Sequence, residues 1–138
     1  MINRIPLERI TAAAETVLSQ GREDGRDMAF AIVDEAGGLI YGIRDSDTAT
    51  RVLTHAIRKA YTSATMRRDT ITFRDEDKER DKVLADWGDP DLTHLVGGAV
   101  LQSNGEWWGG VGVGGNSTER DEELAILARE ILLTPSAD

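Results

Sequence analysis

The fold is decided by Gly97-Gly98-Ala99-Val100 and, after Asn104-Gly105, by Trp107-Trp108-Gly109-Gly110-Val111-Gly112-Val113-Gly114-Gly115. An Asn-Gly pair between two apolar runs predicts a tight β-hairpin, with strands at 97–102 and 107–113. The second strand is almost bare backbone. Such a strand usually allows a helix or a ligand to come very close to it. We therefore expect this hairpin to form the base of a site.

A helix with small buried residues is the expected neighbour of that strand. It is predicted to be capped by Asp47 or Thr48 and to run to about Arg67. Because small side chains let a helix approach a sheet closely, we predict that this helix packs over the strand at 109–115. Its predicted buried stripe consists of Ala49, Val52, Leu53, Ala56, Ile57, Ala60 and Ala64.

The rest of the chain predicts a second hairpin and two more helices. Apolar runs at 28–34 and 39–44 flank Glu35-Ala36-Gly37-Gly38 and read as antiparallel strands. One helix is expected from Pro6 to Gly21. Another is expected to begin with a capping box of Asn116 and Glu119 and to end near Leu133. The predicted fold class is α+β, with a central antiparallel sheet built from two hairpins and covered by helices, in a single domain over 1–138.

Composition excludes several classes of protein. The net charge is −9, there are no cysteines and there are two histidines. An acidic chain lacks a basic face for phosphates, so we expect no nucleic acid partner. Disulfides, Cys-based metal sites and His-rich metal sites are likewise excluded. No apolar run has the length of a signal peptide or a membrane span, so the expected location is the cytoplasm, with no membrane partner.

Lys59 is the most suggestive side chain. His55, Lys59, Thr62 and Met66 stack along one side of the predicted helix, beside its small buried stripe. A half-sheltered lysine can bind a carboxylate, or act as a base or a Schiff-base amine if burial lowers its pKa. The alternative is a lysine whose stem lies along the core rim with its head in water.

Two further features have both a functional and a structural interpretation. The glycines at 112–115 precede a helix whose free N–H groups at 117–120 would hold an anion, although close helix packing explains them equally well. A dinucleotide fingerprint is disfavoured because these glycines lie in a hairpin. His94 could be an acid, a base or an axial metal ligand, or a loop residue with no such role.

Two acidic segments have structural explanations. The helix dipole accounts for Asp121 and Glu122 in the first turn of the last helix. The charged run at 74–81 is expected to be a solvated face. Within 72–87, Val83, Leu84 and Trp87 are predicted to form a short apolar face.

Four segments in the same order resemble the GlcG/HbpS family, also called the haem-binding, DUF336 or PduO C-terminal-like family. They are the hairpin at 31–38, Lys59-Ala60-Tyr61-Thr62-Ser63-Ala64, Gly97-Gly98, and Gly110–Gly115 with the acidic helix start that follows. The similarity runs from about Leu7 to Leu132. It implies a compact α+β domain with profilin/PAS-like layering that assembles into homo-oligomers, some members binding haem.

Carried over by position, the resemblance places the family's lysine and tyrosine on Lys59 and Tyr61. Its paired glycines fall on Gly97 and Gly98, and its glycine-rich stretch on 112–115. Two segments depart from the family pattern. Ala99-Val100 stands where a proline usually follows the paired glycines, and residues 71–91 are strongly charged where small apolar residues are usual. The ligand therefore need not be the family's best-known one.

Two hypotheses follow from the resemblance and the residues together, and a purely structural oligomeric subunit is a third alternative. The first is a protein that binds haem or another small anionic or planar molecule, with the cofactor and any metal left unassigned. Its predicted ligand-binding residues are Lys59, Thr62, Gly97, Gly98, Gly112, Gly114 and Gly115. The second is a cofactor-independent isomerase, lyase or hydrolase acting on a small carboxylate or ring compound. Its predicted catalytic residues are Lys59, Tyr61 and His94.

Overall fold

The computed structural model describes residues 5–135 and contains a four-stranded sheet and four α-helices in this range. A short 3-10 helix at Leu84–Trp87 precedes the third strand. The elements are α1 (Leu7–Glu23), β1 (Ala29–Val33), β2 (Leu39–Arg44), α2 (Thr50–Met66), α3 (Thr70–Glu79), β3 (Gly98–Ser103), β4 (Glu106–Gly114) and α4 (Thr118–Leu133).

The sheet is antiparallel throughout and has the strand order β2-β1-β4-β3. Each hairpin supplies two neighbouring strands, and β1 pairs with β4, with Ala31 opposite Gly112. At the tip of the second hairpin Asn104 and Gly105 both have positive φ, of 54° and 79°, as the turn predicted from Asn-Gly requires. The α+β class and the two-hairpin sheet are therefore confirmed.

The two faces of the sheet differ in side-chain size. On one face Phe30, Ile32, Val111 and Val113 join α1 and α4 in the main apolar core. On the other face Ala29 and Ala31 meet the small residues of α2. Because strand residues alternate between faces, the apolar run of β1 is buried on both sides, as its sequence predicts.

The predicted contact between α2 and β4 is confirmed. A Cβ added at Gly112 would overlap the Ala56 carbonyl oxygen, and one at Gly110 would overlap the Ala60 carbonyl oxygen. The helix backbone thus rests on the strand backbone, and no larger residue fits between them. Of the predicted stripe, Ala56, Ala60 and Ala64 are buried, Val52, Leu53 and Ile57 are half-buried, and Ala49 is exposed because it precedes the helix.

The predicted ends of two helices need correction. α1 begins at Leu7, directly after Pro6, and continues through Gly21 to Glu23. Gly21 lies inside the helix, where its bare Cα faces Met28, whose sulfur a Cβ would overlap. α2 begins at Thr50 after Ala49, which makes no side-chain cap bond. The predicted cap Thr48 instead donates its hydroxyl to the Asp27 carbonyl oxygen.

The cap of α4 lies one residue later than predicted. Ser117, not Asn116, accepts a hydrogen bond from the Arg120 N–H. The Asn116 side chain accepts from the Ser117 N–H and donates to Asp24. Asn116 therefore ties the start of α4 to the loop after α1.

The charged run at 74–81 is not wholly a solvated face. Asp77 is 1% exposed, and its carboxylate accepts hydrogen bonds from Trp87 and His94. Phe73 is the buried apolar residue of α3, whereas Val83 is 61% exposed. The predicted apolar face was wrong at Val83, because the helix ends before that residue.

Candidate functional site

A cleft opens at the end of the sheet where the last residues of β4 meet α2, the start of α4 and the segment before β3. Its volume is about 240 Å³. We call it the Lys59 cleft, after the charged residue at its inner end. Its lining residues are Val52, His55, Lys59, Leu95, Val96, Gly114, Gly115, Asn116, Thr118 and Asp121.

The ammonium group of Lys59 is buried at the inner end of this cleft. It donates to the Val113 carbonyl oxygen at 2.7 Å and pairs with the Asp121 carboxylate at 3.2 Å. The residue is only 4% exposed. The lysine head thus lies in the protein, contrary to the interpretation that placed it in water.

Asp121 is the partner that the sequence analysis missed. One of its carboxylate oxygens faces Lys59 and the other accepts the Asn116 N–H at 3.0 Å. The helix dipole explains an acid in the first turn of α4 but does not distinguish Asp121 from the adjacent Glu122, which is half-buried. The clue to Asp121 in the sequence is its position six residues after Gly115. At this spacing the first turn of α4 lies close to the end of β4.

Burial shifts both members of this ion pair towards their neutral forms. It lowers the pKa of Lys59, while the charge of Asp121 partly opposes that shift. It also raises the pKa of Asp121, against the charge of Lys59. The free-energy difference between the ionised pair and the neutral pair is therefore smaller than in water.

Two glycines keep the space around the amine open. A Cβ at Gly97 would lie 3.0 Å from the Lys59 Nζ and would meet the Val113 carbonyl oxygen at 2.7 Å. Gly97 also has a φ of 123°, which side chains rarely allow. A Cβ at Gly114, in the wall of the cleft, would lie 3.7 Å from the same Nζ. Both predicted ligand-binding glycines thus border the lysine head.

His55 lies on the cleft wall one turn before Lys59. It is half-buried, and within residues 5–135 its ring has no hydrogen-bond partner. Burial lowers its pKa, and the charges of Lys59, Arg51 and Arg58 act in the same direction. These effects favour the neutral imidazole, which has a nitrogen lone pair available.

Two predicted catalytic side chains point away from the cleft. The Tyr61 hydroxyl donates to Asp89 at 2.7 Å, and its ring lies against Gly37 in the β1–β2 turn. His94 bonds to the Asp77 carboxylate at 2.7 Å and packs on the ring of Phe73. The structure does not bring Tyr61 and His94 together with Lys59, and their predicted roles stay predictions.

The remaining predicted ligand residues divide between the cleft and the core. Gly115 lines the cleft. Thr62 is fully buried and accepts the Thr93 N–H at 3.0 Å, away from the cleft. Gly98 and Gly112 lie beneath α2, where a Cβ would overlap the carbonyl oxygens of Lys59 and Ala56. Thr62, Gly98 and Gly112 do not line the cleft. Their direct contact with a ligand remains a prediction.

The start of α4 is only partly free to bind an anion. The Asn116 and Ser117 N–H groups are taken by the side chains of Asp121 and Asn116, and the Arg120 N–H by that of Ser117. The protein's own oxygens therefore occupy much of the predicted anion site.

Neither a metal cluster nor a membrane span is present in the described part of the chain. Over residues 5–135 no group of three or more His, Asp or Glu side chains is placed to hold a metal ion. In the same range no helix is long and apolar enough to cross a membrane.

The family model described as "Haem degrading protein HbpS-like" matches residues 5–130. The chain belongs to this HbpS-like family. The resemblance inferred from the four sequence segments is thereby confirmed. No curated protein matches this chain.

Solved structures share the fold of this HbpS-like chain. A double mutant of HbpS from Streptomyces reticuli is 25% identical, with a TM-score of 0.83 over 96% of this chain and 89% of that one. The Klebsiella pneumoniae protein ORFY is 19% identical, with a TM-score of 0.85 over 99% and 95%. The PduOC–haem complex is 23% identical, with a TM-score of 0.79 over 92% and 91%. At 19% and 23% identity the likeness concerns the fold.

Proposed function

We propose that this HbpS-like protein binds a small planar or anionic organic molecule, haem included, in the Lys59 cleft. The observation that carries the proposal is the imidazole of His55, which lies on the cleft wall and has no hydrogen-bond partner in residues 5–135. The family description names a haem-degrading protein, and one structural relative was solved as a haem complex. Both support a ligand of this chemistry.

The residues of the cleft fit haem in their chemistry. A neutral imidazole is the commonest axial ligand of haem iron, and His55 would supply it. Val52, Val96 and the 46% exposed Leu95 would contact an apolar ring system. When bound, haem would bring the redox chemistry of its iron. The cleft is smaller than the roughly 300–1,000 Å³ of typical ligand pockets, so a haem would extend beyond it.

Lys59 gives the cleft a second means of recognition. An ammonium group has three hydrogens to donate, and the structure uses two of them, for Val113 and Asp121. The third remains for a carboxylate or carbonyl oxygen of a ligand. A small organic acid therefore fits the volume of the cleft and this spare donor of Lys59.

The hypothesis of a cofactor-independent isomerase, lyase or hydrolase requires Lys59, Tyr61 and His94 in one site. The bonds of Tyr61 to Asp89 and of His94 to Asp77 hold those two side chains elsewhere. Ligand binding accordingly has the stronger support. Assembly into homo-oligomers and a cytoplasmic location are further parts of the proposal.

Haem titration followed by the Soret band tests the proposal, because the chain has only two histidines. The variant His55→Ala should lose the band shift of the wild type. His94→Ala is the matched control and should keep it, since His94 lies outside the cleft. A wild-type spectrum in His55→Ala would contradict the assignment of His55.

The binding of a small organic anion at Lys59 needs a separate measurement. Thermal unfolding with a panel of small carboxylates and aromatic acids should show a raised midpoint for ligands that bind the folded state. Lys59→Met should remove that increase. The absence of any effect from haem and from the whole panel would contradict ligand binding in this cleft.

A further inference from the structure

The amine of Lys59 combines three properties that are seldom found in one lysine. It is buried, it faces a cleft, and a carboxylate lies 3.2 Å away. Gly114 contributes no side chain to the cleft wall, and a Cβ there would lie 3.7 Å from the Nζ. Because Lys59 itself lines the cleft, a ligand bound there lies beside the amine.

The other lysines provide a contrast within the same molecule. The chain has three lysines, at positions 59, 78 and 82. Lys78 and Lys82 are exposed, and the Lys82 ammonium lies 4.2 Å from the centre of the Trp87 ring. Neither lies in the cleft. Among the carboxylates of residues 5–135, only that of Asp121 lies beside a lysine, Lys59, and can receive its proton.

We propose that Lys59 forms a Schiff base with a small carbonyl compound of the 2-oxo acid class, and that Asp121 carries the protons of this reaction. A nucleophilic lysine must present a neutral amine. Burial lowers the pKa of Lys59, and each unit of lowering raises the neutral fraction at pH 7 about tenfold.

The step balances with the residues present. The Lys59 ammonium gives a proton to the Asp121 carboxylate, and the nitrogen lone pair bonds to the carbonyl carbon. The carbonyl oxygen takes that proton from Asp121 and becomes a hydroxyl. The nitrogen then returns a second proton to Asp121, which passes it to the hydroxyl as the C–O bond breaks. Water leaves, Asp121 is again a carboxylate, and a protonated imine remains.

The imine product keeps a hydrogen-bond partner in the structure. Its nitrogen has one N–H left, and the Val113 carbonyl oxygen that already accepts from Lys59 at 2.7 Å can accept it. The reaction thus leaves no buried donor without an acceptor, which would otherwise cost about 1–3 kcal/mol.

The cleft selects for small size and for one charged end. Its volume of about 240 Å³ suits a molecule of a few carbon atoms. The Thr118 hydroxyl, at the start of α4, can donate to a carboxylate, and the positive end of the helix dipole lies there. Val52 and Val96 would contact a short alkyl group.

This inference rests on the proposed function only in that a ligand must enter the Lys59 cleft. The haem titration tests His55 by the shift of a visible absorption band, whereas the reaction proposed here is tested at Lys59 by a change in peptide mass. The two can therefore fail independently.

The test is to incubate the full chain with pyruvate and sodium cyanoborohydride, and to locate the reduced adduct by peptide mass spectrometry. The expected result is an adduct at Lys59 at least about tenfold more abundant than at Lys78 or Lys82, which act as internal references. Its yield should saturate with pyruvate concentration. Adducts confined to Lys78, Lys82 and the N-terminus would overturn the proposal.

Two variants separate chemistry from folding. Lys59→Arg keeps the charge opposite Asp121 and should remove the cleft adduct while the adducts at Lys78 and Lys82 persist. Asp121→Asn removes the proton carrier and also the charge that raises the pKa of Lys59. Although more of the amine is then neutral, adduct formation at Lys59 should still slow about tenfold or more, measured on samples with native circular dichroism. An Asp121→Asn protein that reacts at the wild-type rate would exclude Asp121 from the reaction.

Discussion

Gly112 lies directly beneath Ala56, with the bare Cα of the strand residue facing the carbonyl oxygen of the helix residue. The same relation recurs at Gly110 and Ala60. Because main-chain atoms cannot move aside as a flexible side chain can, this contact sets the distance between α2 and β4. The cleft begins at the end of the same strand, so its width depends on this spacing.

Gly112→Val should destabilise the protein by about 1–3 kcal/mol or more, because the side chain forces α2 away from the sheet. Gly112→Ala should act in the same direction. Urea unfolding followed by tryptophan fluorescence measures the change. A Gly112→Val protein as stable as the wild type would mean that α2 can shift without loss.

Gly114→Ala is the matched change at the cleft. The new Cβ would lie 3.2 Å from the Val52 carbonyl oxygen and 3.7 Å from the Lys59 Nζ. These distances require a shift of only a few tenths of an ångström, so stability should stay within about 0.5 kcal/mol of the wild type. Ligand binding at Lys59 should weaken, because the methyl group narrows the approach. Stronger binding would contradict this route to the amine.

Asp77→Ala should destabilise the protein by about 1–3 kcal/mol, because Trp87 and His94 both lose the acceptor of their hydrogen bonds. Asp75→Ala, on the same helix, is the control. Asp75 is exposed and pairs only with Arg74, a kind of pair that contributes little. Equal urea midpoints for the two variants would show that the buried carboxylate has no special role.

Tyr61 should titrate well above an ordinary tyrosine. Its hydrogen bond to Asp89, assisted by burial, raises its pKa to about 12. Since the folded-state pKa lies above the unfolded value, the stabilisation is fully present below about pH 10 and is lost as the pH rises through about 12. The ultraviolet absorbance of the ionised tyrosine, at about 295 nm, follows this titration.

Asp89→Asn should lower the Tyr61 pKa, and Tyr61→Phe should remove the corresponding transition. A Tyr61 titration that Asp89→Asn leaves unchanged would disprove the assigned cause. Tyr41 remains as the second tyrosine in both variants.

The Lys59–Asp121 pair should show strong coupling in a double-mutant cycle. Lys59→Met or Asp121→Leu alone leaves the partner buried and uncompensated, at a cost of about 3–5 kcal/mol. The double variant should lose much less than the sum, because no unpaired charge remains. Additive losses in the free energy of unfolding would show that the two groups do not stabilise each other.

The sheet and the position of α2 were predictable because their signals are local and repetitive. The Asn104-Gly105 turn, the apolar run of β1 and the small stripe around Ala56 and Ala60 each restrict the backbone over a few residues. These patterns also indicate which helix packs on which strand, because a strand of glycines accepts only a helix of small residues. The packing of α2 on β4 followed without any long-range information.

The partners of the charged residues were not predictable in this way. Asp121 and Glu122 are adjacent acids in the same first turn, and only the approach of Lys59 from another helix distinguishes them. Asp77 was likewise hidden in a charged run, and its burial depends on the position of Trp87 and His94. Such pairings join residues far apart in the chain, 62 positions for Lys59 and Asp121, and no pattern of neighbouring residues encodes them.

The Lys59–Asp121 bond also joins the two helical layers of the protein. Lys59 belongs to α2 on one face of the sheet, and Asp121 to α4 on the other. The bond passes around the end of β4, where the strands no longer separate the layers. If either helical layer opens, the charged partner in the other layer, Lys59 or Asp121, loses its ion pair. The amide protons of α2 and α4 should therefore exchange with solvent in one concerted event. A bound molecule at Lys59 would slow the exchange of both helices together.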